Sequence, residues 1–157
     1  MASAVQELDE AARLVALIDS DDPYVEGLNA LIERQLAAAD AQFQDRVGKI
    51  RLLANRAEEG GISRITSLHD LVPLLFAHTA YKSYPENWLF EGKWDRMGKW
   101  LDTVSVERVP KLDTSGVKGL DDWLAMLEGH GHFVSCSSGT TGKCAMMNAV
   151  QADLDFC

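Results

Sequence analysis

A chain of 157 residues, 46% of them hydrophobic and 25% charged, has enough apolar content to bury one real core, which excludes a wholly disordered spacer. A formal net charge of −9 argues against general nucleic-acid affinity, because a polyanion is held by clustered Lys and Arg and no such cluster is visible. No run approaches the roughly eighteen apolar residues a membrane-spanning helix needs, and "MASAVQELDE" has no basic flank ahead of an apolar core. A cytoplasmic protein with no membrane span is the expectation.

In chain order, Leu8, Ala11, Ala12, Val15 and Ile18 recur at helical spacing and predict a first helix that stops at "DSDDP". Asp22 then reads as an N-cap with Pro23 at the first helical position. From there Val25, Leu28, Ile32, Leu36, Ala39, Phe43, Val47, Ile50, Ala54 and Ala57 form one stripe that ends at Gly60 and Gly61. This is one long helix or two broken near Gly48; a coiled-coil hairpin would suit its length, while its spacing favours packing on a globular body. Ser67, three residues before Asp70, opens a short helix in the manner of a capping box, and Pro73 limits its run. Trp88, Trp94 and Trp100 crowd the next segment, with Trp94, Met97 and Leu101 on one helical face, the pattern of a core. Lys82 reads as a solvated lysine.

After the Pro/Gly/Ser-punctuated connector "VERVPKLDTSGVKG", Leu120, Trp123, Leu124 and Leu127 predict an amphipathic helix ending at Gly129. "HFVSC" and "CAMMNAV" then read as two strands joined by "SSGTTGK", and "QADLDFC" as the first turn of a helix capped by Asp153. The fold class expected is α/β, with a helical region over 1–130 and the start of an α/β core over 131–157.

Cys136, Cys144 and Cys157 are odd in number and lack CxxC spacing, which fits reduced thiols; Cys136, inside an apolar run, reads as a buried inert one. Of His69, His78, His130 and His132 only the last two are close, and a metal site on "HGH" would need further carboxylates or thiolates. The joining segment is the stretch with chemistry. A phosphate-binding loop needs backbone N–H groups free to turn toward an anion, small side chains and a shell of hydroxyl or ammonium donors. Gly139 and Gly142 supply the backbone freedom, Ser137, Ser138, Thr140 and Thr141 the hydroxyls, and Lys143 the charge. A Walker A loop is excluded, because its first glycine would fall at Ser137, its final hydroxyl at Cys144, and a strand follows where that loop opens a helix.

On these seven residues, "SSGTTGK", the chain resembles the signature loop of the adenylate-forming superfamily: acyl- and aryl-CoA synthetases, adenylation domains of peptide synthetases, and luciferases. That family usually continues with a proline where Cys144 stands. The lead-in "DLVPLLFAHTAYKSYPE" is more loosely similar to the phenylacetate-CoA ligase and acyl-protein synthetase branch. The resemblance implies an ATP- and Mg2+-dependent ligase in which a carboxylic acid attacks the α-phosphate, pyrophosphate leaves, and a thiol such as CoA displaces AMP from the acyl-adenylate. It implies that Ser137, Ser138, Gly139, Thr140, Thr141, Gly142 and Lys143 hold the β- and γ-phosphates as charge builds on the leaving group.

The family's adenine- and acyl-binding motifs, its acidic magnesium ligand and its lysine-bearing C-terminal domain stand far downstream of the loop. The expectation is therefore the front portion of a longer protein or a truncated product, inactive alone, with an open sheet edge and exposed Met146 and Val150. The competing expectation is a non-enzymatic helical interaction module whose Ser/Thr/Gly loop is only a turn.

Overall fold

In a computed structural model, residues 2–18, 20–22, 27–137 and 143–154 are described, residues 2–9 as backbone only. The chain is helix-rich, with one antiparallel pair of strands near its C-terminal end, and it divides into two compact units: Met1–Gly48 with Leu53–Leu75, and Lys49–Leu52 with Phe76–Cys157. Among the described residues no helix is long and apolar enough to cross a membrane.

In the first unit, helix α1 (Ala2–Ile18) packs on α2 (Leu28–Arg46). Leu14 and Leu17 turn toward the fold on α1, whereas Val15 and Ile18, part of the helical spacing that predicts α1, are exposed. Helix α2 starts later than the expected Asp22 and Pro23 cap, with Gly27 as its N-cap, and Leu28 is exposed; Pro23 and Val25 lie outside the described residues. The long stripe does break at Gly48, and α3 (Arg51–Gly60) follows. It stops because Gly61 takes φ 65°, a left-handed conformation that glycine adopts without a Cβ clash. The Ile62 N–H then donates to the Ala57 carbonyl and the Gly61 N–H to that of Glu58, satisfying the orphan carbonyls of the last turn.

The core of this unit joins Phe43, Ala57, Ile65 and Leu74. A buried carboxylate beside it fixes the segment after α3. Asp40 Oδ1 accepts the Ile65 N–H at 2.7 Å, and Oδ2 meets the Arg64 guanidinium at 2.6 Å. The Ser67 start is as expected: Asp70 Oδ2 accepts the N–H groups of Thr66 and Ser67, each at 2.8 Å, and these bonds hold the carboxyl below its ordinary pKa. Helix α4 (Leu68–Leu71) then tightens at Pro73 into a single 3-10 turn, Val72–Leu74.

In the second unit a 3-10 turn (Ala80–Lys82) and α5 (Asn87–Phe90) lead into α6 (Trp94–Asp102), whose Trp94, Met97, Trp100 and Leu101 are buried, three of them on the expected apolar face. Helix α7 (Leu120–Glu128) closes the same core with Trp123 and Leu127, and the rings of Trp94 and Trp123 stack at 5.8 Å. Strands β1 (His132–Cys136) and β2 (Met146–Val150) pair antiparallel, His132 opposite Val150 and Cys136 opposite Met146.

Two expectations fail here. Met146 and Val150 are buried, 0% and 3% exposed, because the strand face they share with His132 and Val134 is the inner one; Met147, on the other face, is exposed. Cys136, at the outer end of β1, is exposed rather than buried. Helix α8 (Gln151–Leu154) begins directly after β2, with Asp153 at its third position instead of the cap, accepting the Val150 N–H.

Candidate phosphate-loop stem

The antiparallel pair exists because two apolar runs flank a connection rich in glycine and hydroxyl residues, and alternation lets one face of each strand bury. The structure describes the two ends of that connection, Ser137 and Lys143, while Ser138, Gly139, Thr140, Thr141 and Gly142 lie outside the described residues. At the first end the Ser137 N–H donates to the Ala145 carbonyl at 3.0 Å, and the Ala145 N–H donates to Ser137 Oγ at 2.8 Å. Ser137 therefore closes the mouth of the loop through its oxygen, and what it keeps for an anion is its O–H donor.

The other end is set by a residue sixty positions earlier that the sequence did not single out. Tyr84 is fully buried, its ring edge-on to Trp100 at 4.9 Å, and Trp100 Nε1–H in turn donates to Ser83 Oγ at 2.8 Å. From that pocket the Tyr84 hydroxyl donates to the Cys144 carbonyl at 2.7 Å and lies 3.3 Å from Cys144 Sγ. Burial, then the Cys144 thiol, raises the Tyr84 pKa far above its ordinary value, so the hydroxyl stays a donor at any physiological pH. Lys143 lays its ammonium over the Tyr84 ring, 4.7 Å from the centroid. A tyrosine sunk completely into a core normally brings its hydroxyl to a partner, but that burial is a tertiary fact that "KSYPENW" does not carry.

Cys136 borders the same stem. Desolvation at its sulfur, then the neighbouring Cys144 thiol, push it up to about 11 from 9.0. The thiolate is the nucleophile, so Cys136 is expected to alkylate slowly at pH 7.5, its rate with iodoacetamide rising about tenfold per pH unit to beyond pH 10. A plateau near pH 9, read by peptide mass spectrometry, would show an unperturbed thiol.

The two close histidines do not converge. His130 Nδ1 contacts the Met126 carbonyl at 2.8 Å. His132 is buried; its Nε2–H donates to the Arg108 carbonyl at 3.2 Å, and its Nδ1 accepts from the Asn148 amide, which also donates to Ser105 Oγ. Among the described residues no group of three or more His, Cys, Asp or Glu is placed to hold a metal ion. Lys82 is half-buried at the end of its 3-10 turn. No protein-family model, curated protein or solved structure matches the chain. The arrangement itself is an antiparallel strand pair whose connecting loop is pinned at both ends, with one ammonium held at its exit.

Proposed function

We propose that residues 137–143 are the polyphosphate-holding loop of an adenylate-forming ligase, a protein that activates a carboxylic acid with ATP and passes the acyl group to a thiol such as CoA. The single observation that carries this reading is the setting of "SSGTTGK": it joins two adjacent antiparallel strands, and its lysine stands anchored at the exit of the loop. Adenylation needs the leaving pyrophosphate held where negative charge accumulates, and fixed donors do that at less cost than donors that must first be ordered. Lys143 and the Ser137 hydroxyl fit the β- and γ-phosphates as point charge and donor. ATP, when bound, supplies the electrophilic phosphorus; Mg2+ belongs to the reading through the resemblance alone. The helix-rich residues 1–130 would then be the approach to the α/β core that starts at β1.

The test uses the polypeptide encoded by the complete reading frame that contains these residues. Carboxylate-dependent exchange of labelled pyrophosphate into ATP, across a panel of acyl and aryl acids, is the expected activity, and the 157-residue chain by itself is expected to show none. Thr141→Ala with Lys143→Ala should depress exchange about 10- to 100-fold, the usual loss for charge-assisted bonds to phosphate, through a higher KM for ATP or a lower turnover. Unchanged exchange in that double variant would remove the loop from the chemistry.

A second reading, an interaction module with a ligand-free turn, draws support from exposed Ile18, Leu28, Val72 and Leu75 in the first unit, 65–74% accessible. A stop codon directly after Cys157 in an intact gene would favour it.

A further inference from the structure

We propose that Tyr84 is a positioning residue for polyphosphate binding: its ring holds the Lys143 ammonium and its hydroxyl holds the Cys144 backbone, so that Lys143 meets the ligand already set. The proposal rests on the phosphate-loop reading above and adds to it a residue outside the signature. Lysine carries four rotatable stem bonds, and a free lysine loses that freedom when it grips a phosphate. Here part of the cost is met before the ligand arrives. The ammonium sits 4.7 Å from the ring centroid, and one bond along the chain the Cys144 carbonyl accepts from the same tyrosine at 2.7 Å. One rigid side chain thus fixes both the backbone from which Lys143 springs and the charge at its tip.

Tyr84 is itself held by its surroundings, with no exposed surface and the Trp100 ring packed against it at a steep angle, so it acts as a fixed platform. A cation over an aromatic face keeps N–H groups directed away from the ring, and those are what a phosphate oxygen would accept. The two contacts separate by chemistry. Tyr84→Phe keeps the platform and drops the backbone bond; Tyr84→Leu drops both.

The experiment is an NMR titration of the 157-residue chain with inorganic tripolyphosphate, following the Lys143 side-chain methylenes. In the unliganded protein the Lys143 ε-protons should stand upfield of ordinary lysine because of the Tyr84 ring current, and should keep that shift in Tyr84→Phe. Lys143→Ala is expected to weaken tripolyphosphate about tenfold, and Tyr84→Leu about threefold. The loss from Tyr84→Leu should vanish when Lys143 is already Ala, which a merely structural tyrosine would not produce. An ordinary Lys143 shift in the unliganded wild type overturns the proposal without any variant having to fold. Additive losses with binding intact overturn it too, and leave the phosphate reading standing. An upfield Lys143 shift with no binding of tripolyphosphate overturns the phosphate reading, and the ligand half of this proposal with it.

Discussion

Replacing Trp123 by Ala is expected to destabilise the second unit by about 3–5 kcal/mol, the cost of emptying a buried aromatic site that its neighbours cannot refill. Trp123 is 1% exposed and stacks on Trp94, and Met97, Leu101, Leu127 and Met146 around it are wholly buried, so the indole is held by side chains from two helices and a strand. Stability of a marginal domain is of the same order as this loss, and the variant should therefore populate open forms of the unit. Hydrogen exchange read peptide by peptide checks it: amides of α6, α7 and β2 should lose most of their protection. A change below about 1 kcal/mol would mean that the stack is not central to the core.

Asp40→Ala is expected to cost the first unit about 2–4 kcal/mol, because it leaves the buried Ile65 N–H without an acceptor and the Arg64 guanidinium without its partner carboxylate. Asp40→Asn separates the two contributions. Its amide oxygen still accepts the Ile65 N–H while the charge is lost, and since Arg64 is 59% exposed the charged half is the weaker one. The order wild type, Asn, Ala, with Asn nearer the wild type, should emerge from urea unfolding followed by circular dichroism. Equal losses in the two variants would place the energy in the ion pair instead of the backbone bond.

Neither residue is equally visible in the sequence. Trp123 stands in a clean stripe with Leu120, Leu124 and Leu127, and helical period alone puts it inside. Asp40 sits on a helix in an alanine-rich stretch, and nothing local distinguishes it from a solvated carboxylate; its value arises from Ile65, twenty-five residues on. The same division runs through the fold. The Gly61 stop, the Ser67 start and the bounds of β1 follow from local chemistry and lie where the sequence puts them; at Gly48, where one helix or two were both open, the structure has two. Val15, Ile18 and Leu28 lie on the predicted apolar stripes and are exposed, because near a helix end the stripe outlasts the surface it packs against. Met146 and Val150 went the other way, since which face of a strand is buried depends on what α7 and β1 bring to it, not on the strand.

Of the candidate site, the residue types at the loop are legible in seven letters, while its support is not. Tyr84 lies in an irregular segment between a 3-10 turn and Pro85, where no periodicity marks it. Its role depends on contacts sixty positions away.

That separation has a kinetic side. The strand pair closes a short local loop and can zip early, whereas docking Tyr84 onto Cys144 closes a long one and must wait for α6 and the Trp100 pocket to exist. The hairpin and its anchoring are thus separate events. During synthesis the connecting loop would be born unanchored, and in the finished protein a local opening that frees the hairpin from Tyr84 would release Lys143 while every bond between β1 and β2 stays intact.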